Sequence, residues 1–348
     1  MEKIMTFMGD GSRIFMNAAE IRADLESGTA DAADRGKIPE LTEDEINHLF
    51  DIITAKSKVV GVENGKEIVT TTDSGIKIPM QGFVPVDRST NAQIHERVLC
   101  SDTFELSHID YSFKQIKTIL PTEQSVLEYT QMNMTAPVLY GAMPNLGLYT
   151  VPDGPVANWN ELLPQGEIQA ALAAQEEAVE YAVKDMVFVS GGMFDAGADG
   201  IDFDTVGASG DADFLAALKA TQILREKYPD YAVEMGMAGE FVLGIHGDLY
   251  FGPDRLAGLY PHQQVRVAEK AGVTIFGPVV NTNSLRSFPW NIARVCTFIK
   301  ACAEAARIPI HPNVGMGVGG IPLTLKVPVE LATRAVKAIV EIGKADGL

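Results

Sequence analysis

The residues best suited to chemistry in this chain are carboxylates and neutral polar groups at the ends of short β-branched runs. Asp204 closes Ile201-Asp202-Phe203-Asp204, and a carboxylate at a strand end is costly unless it is paired or used. Glu234 and Glu240 stand on and just after another run, Glu234-Met235-Gly236-Met237-Ala238-Gly239-Glu240. His262-Gln263-Gln264 follows Pro261 at a helix start, Asn281 and Asn283 end one strand, and His311 and Asn313 end another. Any one of these side chains could simply satisfy backbone groups. Gathered on one rim, they would line a polar pocket able to orient a small polar substrate and move its protons.

Other motifs carry less. Gly315-x-Gly317-x-x-Gly320 matches the spacing of a dinucleotide fingerprint, but Ile321-Pro322-Leu323 follows where a helix should open. It reads as a loop at a strand end. Asp202-x-Asp204 begins like a calcium loop, yet Val206 stands where an oxygen ligand is needed. Asp211 is suited to cap the helix that follows it. Cys296 and Cys302 border one apolar helical stripe with no histidine at ligand spacing, so they read as core residues rather than zinc ligands.

Strands and helices must position these groups. Residues 1–98 read as an extension outside the main fold. Within it, residues 18–27 form a short helix that Gly28 stops in the left-handed conformation. Thr42 and Glu45 make a capping box ahead of Ile46, Leu49, Phe50 and Ile53. Residues 59–69, centred on Asn64-Gly65, predict a two-residue hairpin. Residues 72–93 lack a period and read as loop. From 99 to 348 helical stripes such as Ile168, Leu172, Val179, Val183 and Met186 alternate with strands near 105–111, 136–141, 201–204, 231–235, 273–279 and 308–311. That alternation is α/β with a parallel sheet, and polar groups at so many strand ends favour a (β/α)8 barrel over a doubly wound sheet.

The last helix follows Pro328, with Leu331, Ala335, Ile339 and Ile342 as its stripe. Ala345-Asp346-Gly347-Leu348 then repeats the pattern of Ala198-Asp199-Gly200-Ile201, which leads into a strand. The expected barrel is therefore incomplete, about six strand–helix units with a seventh strand just beginning. An open sheet edge there predicts a truncated sequence.

Composition bounds the function. The formal charge of −18 over 348 residues, with no basic cluster, argues against a nucleic-acid partner. No apolar run approaches the ~18 residues that span a bilayer, and the start Met1-Glu2-Lys3 lacks a signal-peptide core. Three scattered cysteines suit a reducing compartment. A cytoplasmic enzyme is expected.

Longer strings add what spacing cannot. MGDGSRIF (8–15), SGTADAADRGKIP (27–39), SHIDYSFK (107–114), YGAMPNLGLYTVPDGP (140–155), GADGIDFDT (197–205), GMAGEFVLGIHG (236–247), YPHQQ (260–264), FGPVVNTNS (276–284) and GMGVGGIP (315–322) run the length of the chain. They resemble the dimethylamine:corrinoid methyltransferases, the pyrrolysine-containing enzymes of methylamine catabolism in methanogenesis. The resemblance implies a barrel, and a methyl transfer from dimethylamine to the Co(I) corrinoid of a cognate corrinoid protein, releasing monomethylamine. It also implies pyrrolysine at position 349, after Val340-Glu341-Ile342 and Gly347-Leu348, so that the electrophile lies outside this chain and the chain alone would be inactive. No cofactor is then bound by the chain, because the partner carries the corrinoid, and a homo-oligomer is expected of the full-length enzyme. Under that reading Glu240, then Asp204, then Glu234 manage the amine's protons, while His262, Gln263, Asn281, Asn283 and His311 hold the amine or polarise the electrophile. A non-catalytic fragment and a different barrel enzyme, such as a zinc-dependent methyltransferase, are the alternatives.

Overall fold

Six short runs form one parallel sheet in a computed structural model, which describes residues 3–74, 87–106, 121–142, 144–244, 247–314 and 327–348. Ahead of the sheet, β1 (Ile4–Phe7) and β2 (Arg13–Met16) make an antiparallel hairpin. The sheet runs in chain order through β3 (Thr71–Ser74), β4 (Thr103–Leu106), β5 (Val138–Ala142), β6 (Gly200–Val206) and β7 (Ala232–Met237) to β10 (Ile275–Gly277). A small hairpin of β8 (Tyr250–Phe251) and β9 (Asp254–Arg255) interrupts the last crossover. Every neighbour in the large sheet is the next strand of that sheet along the chain. A doubly wound sheet would reverse its order at a switch point; this one does not, and the fold is an incomplete (β/α)8-type barrel.

The helices in chain order are α1 (Ala18–Gly36), α2 (Glu43–Thr54), α3 (Arg88–Leu99), α4 (Pro121–Asn133), α5 (Trp159–Leu162), α6 (Ile168–Asp195), α7 (Asp211–Lys227), α8 (Pro261–Ala271), α9 (Phe288–Ala305) and α10 (Val329–Glu341). No helix among the described residues is long and apolar enough to cross a membrane. Two compact units divide the chain, one of residues 1–68, 260–266 and 276–348, the other of residues 69–259 and 267–275.

In the second unit the strand period of two sorts the side chains. Phe104, Tyr140, Ile201, Phe203, Val233 and Met235 share one face and are fully buried. The other face carries Glu105, Gly141, Asp202 and Glu234. Residues 72–93, expected as loop, contain β3 and the start of α3, so the sheet begins within the stretch expected as an extension. Polar Thr71-Thr72-Asp73-Ser74 has no apolar alternation to betray a strand; pairing with β4 recruits it.

The first unit corrects two expectations. Gly28 does not stop α1, which continues to Gly36 and ends with Lys37 in the left-handed region. Gly28 serves helix packing instead. A Cβ there would fall well inside contact distance of the Trp290 carbonyl oxygen on α9. Around Asn64-Gly65 the turn forms, with Lys66 N donating to Glu63 O at 3.0 Å, but no ladder flanks it. The backbone groups that a hairpin would use go to α10. Val60 N donates to Thr333 Oγ1, Glu63 N to Glu341 Oε1, and Gly61 O accepts from Lys337 Nζ.

Arg334 of α10, 9% exposed, ties this segment down. Its guanidinium donates to the carbonyls of Ile53, Ala55, Ser57, Lys58 and Glu330 at 2.8–3.3 Å. Helix α2 has no basic residue in its own last turn, so Arg334 supplies the positive charge its carbonyl end favours.

The two Ala-Asp-Gly motifs perform the same local task. Asp199 N donates to Val138 O at 3.0 Å while Val138 N donates to Asp199 Oδ2 at 2.8 Å. In the first unit Asp346 N donates to Ile310 O and Ile310 N to Asp346 Oδ2, both at 2.9 Å. Ile310 itself bridges Phe276 in parallel, so the expected strand near 308–311 is reduced to one bridge.

Candidate functional site

Four carboxylates meet on the polar face of the sheet in the second unit. Asp202 on β6 pairs in register with Glu234 on β7 and with Gly141 on β5. Glu105 on β4 lies on the same face, opposite Leu139 of β5 and so one strand further from Asp202. Glu105, Asp202 and Glu234 are each 6% exposed. Burial first, then the charges of Glu105, Glu234 and Asp204, push the Asp202 carboxyl well above the usual carboxylate range.

Asp204 joins this group through a distorted strand end. The β6–β7 register shifts between Phe203 and Val206, and Thr205 lies at φ 60°, a left-handed conformation that a β-branched residue resists. The distortion lets Thr205 N donate to Asp204 Oδ1 at 2.6 Å. It also sets that carboxylate over Gly236, where a Cβ would come within 2.9 Å of Asp204 Oδ1.

Two aspartates of α7 hold the adjoining loops. The expected cap role of Asp211 is corrected: Gly210 occupies the N-cap position, and Asp211 Oδ2 accepts from Gly247 N at 2.7 Å in the loop after β7. Asp213 Oδ2 accepts from Gly207 N at 2.9 Å and Ser209 N at 3.4 Å in the loop after β6. Asp213 is fully buried, and burial pushes its carboxyl up to about 7 against the pull of those backbone donors. Because the folded state holds this proton while the unfolded chain loses it near 3.8, stability should fall as pH rises from about 4 through about 7. Roughly three pKa units correspond to a loss on the order of 4 kcal/mol. Denaturant titrations at pH 5 and pH 8 should show a flatter pH dependence in Asp213→Asn than in the parent; equal slopes would exclude this linkage.

The structure thus brings Asp204 and Glu234 together with Asp202 and Glu105. Glu240, 2% exposed, lies in the same unit just beyond β7. The remaining candidates belong to the first unit. His262 lies in the first turn of α8, where burial and then Arg266 lower its pKa and keep the ring neutral. Gln263 is exposed, and its Oε1 accepts from Tyr260 N at 3.1 Å. Asn281 is exposed, its carbonyl held by Arg294 at 2.6 Å. Asn283 closes a turn, its Oδ1 accepting from Leu285 N at 2.9 Å while the Asn291 side chain brackets its backbone. His311 is half-buried, with its backbone N on Phe276 O at 2.8 Å. Residues 315–320 lie outside the described residues. Cys296 and Cys302 are fully buried on α9, with Cys302 Sγ 3.5 Å from Pro261 O; they are core residues, as their spacing suggests.

Comparison with known proteins gives a match to the family model described as dimethylamine methyltransferase, over residues 2–348. Among solved structures, an exo-β-1,4-mannosidase from Opitutaceae bacterium strain TAV5 aligns at 12% identity and TM-score 0.38, over 84% of this chain and 62% of that one. The carboxyl transferase domain of Rhizobium etli pyruvate carboxylase aligns at 16% identity and TM-score 0.43, over 94% and 50%. A homocysteine methyltransferase from Escherichia coli aligns at 13% identity and TM-score 0.36, over 78% and 96%. This chain spans less than two thirds of the first two. These values are too low to carry an argument, and the fold assignment rests on strand order and register.

Proposed function

The chain belongs to the dimethylamine methyltransferase family, and on that premise we propose that it moves a methyl group from dimethylamine to the Co(I) corrinoid of a separate cognate corrinoid protein, releasing monomethylamine. The observation that carries the reading is the family match across residues 2–348. The carboxylates on the polar face of the sheet support it chemically. Dimethylamine is mostly a cation at neutral pH, and the cation has no lone pair with which to add to an electrophile until a base takes its proton.

The overall balance needs no outside reagent. Dimethylammonium gives up CH3+ to Co(I), which supplies both electrons of the new bond and becomes methyl-Co(III), and monomethylamine leaves as the neutral amine. Pyrrolysine at position 349, as the resemblance implies, would supply an electrophilic ring imine that holds the amine in line for attack. The described residues fit that demand in their donor set, offering carboxylates for the ammonium protons and neutral amides and imidazoles for orientation. Glu240, Asp204 and Glu234 take the proton and later return it. His262, Gln263, Asn281, Asn283 and His311 orient the amine and the ring nitrogen. The corrinoid stays with its own protein, and the enzyme acts in the cytoplasm, as a homo-oligomer when full length.

The test is the mass of the protein from its own host, together with methylation of the corrinoid protein by dimethylamine followed through cobalt absorbance. A mass above 37.5 kDa, with pyrrolysine in the peptide spanning position 349 and methyl-cobalt formation, is the expected result. A protein of 37.5 kDa with no transfer would sink the catalytic reading.

A further inference from the structure

We propose that the groove between α6 and α7 is the face through which two copies of this chain join, their α6 helices antiparallel about a two-fold axis. The inference gives a surface to the homo-oligomer proposed above and uses nothing of the methyl-transfer chemistry.

The groove is open and mostly apolar. Its volume is about 570 Å³, lined from α6 by Val187, Phe188 and the Gly191-Gly192 pair and from α7 by Ile223 and Tyr228. Phe188 is 59% exposed and Ile223 41%, and large apolar side chains left together in solvent mark a contact surface. Helices α6 and α7 connect β5 to β6 and β6 to β7, all inner strands of the sheet. A strand added at either edge of the sheet would leave the groove open.

The spacing along α6 picks out the occupant. Lys184, Phe188, Gly191 and Asp195 recur at intervals of four, three and four, which puts them on one stripe of the helix. The intervals read the same from either end. Two antiparallel α6 helices crossing between Val189 and Ser190 therefore set Phe188 of each copy against the partner's Gly191. The same crossing sets Val187 against the partner's Gly192 and Lys184 against the partner's Asp195. A two-fold contact demands this self-complementarity, because whatever residue i gives to j, j must give to i. Here a projecting ring meets a position without a side chain, twice, and a cation meets an anion, twice. The Tyr228 hydroxyl edges the glycine notch, 3.0 Å from where a Gly191 Cβ would stand, and its ring offers the entering Phe188 an aromatic neighbour.

The charges agree with that occupant. Lys184 and Asp195 are exposed, and neither makes a salt bridge to another described residue. Lys184 stands 5.6 Å from the centre of the Tyr181 ring, and the Asp195 charge is felt at Lys227 across the groove. Copies of a chain with formal charge −18 repel one another, so they can join only where the contact is locally balanced. The charged residues lining this groove are Lys184, Lys227 and Asp195, which leaves no excess of negative charge there.

The test is sedimentation of the full-length protein over a range of concentrations, with the melting temperature of each variant alongside. The parent should run as a dimer or a multiple of one. Lys184→Glu and Asp195→Lys each set like charges against one another twice, and each should raise the dissociation constant at this face at least about tenfold. Mixed in equal amounts, the two variants should join with an affinity within about threefold of the parent, since each supplies the charge the other lacks. Neither a folding defect nor a different interface produces that recovery. Phe188→Ala should weaken the contact at least about tenfold without lowering the melting temperature of the dissociated protein, because its ring is mostly in solvent. A parent that stays monomeric, an assembly indifferent to all three variants, or a mixture no tighter than its components would overturn the proposal. Association that responds as expected, without corrinoid methylation by the parent, sinks the methyl-transfer reading and leaves the interface. Methylation by an assembly that ignores the variants does the reverse.

Discussion

Glu240→Gln in the full-length enzyme should lower methyl transfer about 10²- to 10⁴-fold, the usual worth of a positioned acid or base, while leaving the fold intact. Glutamine keeps the volume and one carbonyl acceptor of Glu240, which is buried just beyond the end of β7, but it cannot take a proton. The measurement is single-turnover methyl-cobalt formation, with the melting temperature alongside. The proton-handling role predicts a loss in kcat that raising the pH partly restores, as more free dimethylamine is present. A packing role predicts instead a lowered melting temperature with little change in rate. Glu234→Gln gives the comparison. Glu234 faces Asp202 in register, so its loss should change both amine binding and rate. Unchanged turnover in Glu240→Gln would remove that residue from the mechanism and leave Glu234 and Asp204.

The largest effect on stability should come from Arg334→Ala. The change removes the donor that serves five carbonyls, four of them in the segment 53–58 at and beyond the end of α2. Carbonyls left without a partner inside the protein cost about 1–3 kcal/mol each. Some will find water, so the expected loss is about 3–5 kcal/mol, or on the order of 10 °C in melting temperature. Arg334→Lys restores charge but not the planar fork, and should recover less than half. Equal stability of parent and alanine variant in urea titration would show that segment 53–58 does not depend on this anchor.

The order of strands was readable because each crossover is local. Apolar runs of the right length, separated by striped helices, announce β5, β6 and β7 and their sequence in the sheet. The start of the sheet was not, because Thr71-Thr72-Asp73-Ser74 is polar and becomes a strand only by pairing with β4. Gly28 misled for a related reason: its small size answers to Trp290, far away in the chain, while local rules know glycine only as a helix stop.

The site divides the same way. Asp204 could be picked out as a carboxylate at a strand end, and Glu234 as one on a strand. Glu105 and Asp202 could not, since their sharing one face of the sheet with Glu234 depends on the register of four strands. Nothing in the neighbourhood of either residue along the chain encodes that register. Asp213 was hidden too, being one acid among several at the start of a helix until the fold turns its carboxylate back onto the loop at Gly207.

The aspartate of each Ala-Asp-Gly motif grips both polar groups of one earlier residue, Val138 at the start of β5 for Asp199 and Ile310 for Asp346. Such a grip engages only chain that has already been made. In a polypeptide emerging from the ribosome, it can close before the residues that follow the motif have left the tunnel. The alignment of β6 on β5 can then be settled by β5 alone, so that this part of the sheet lengthens in step with translation, without a search among finished strands.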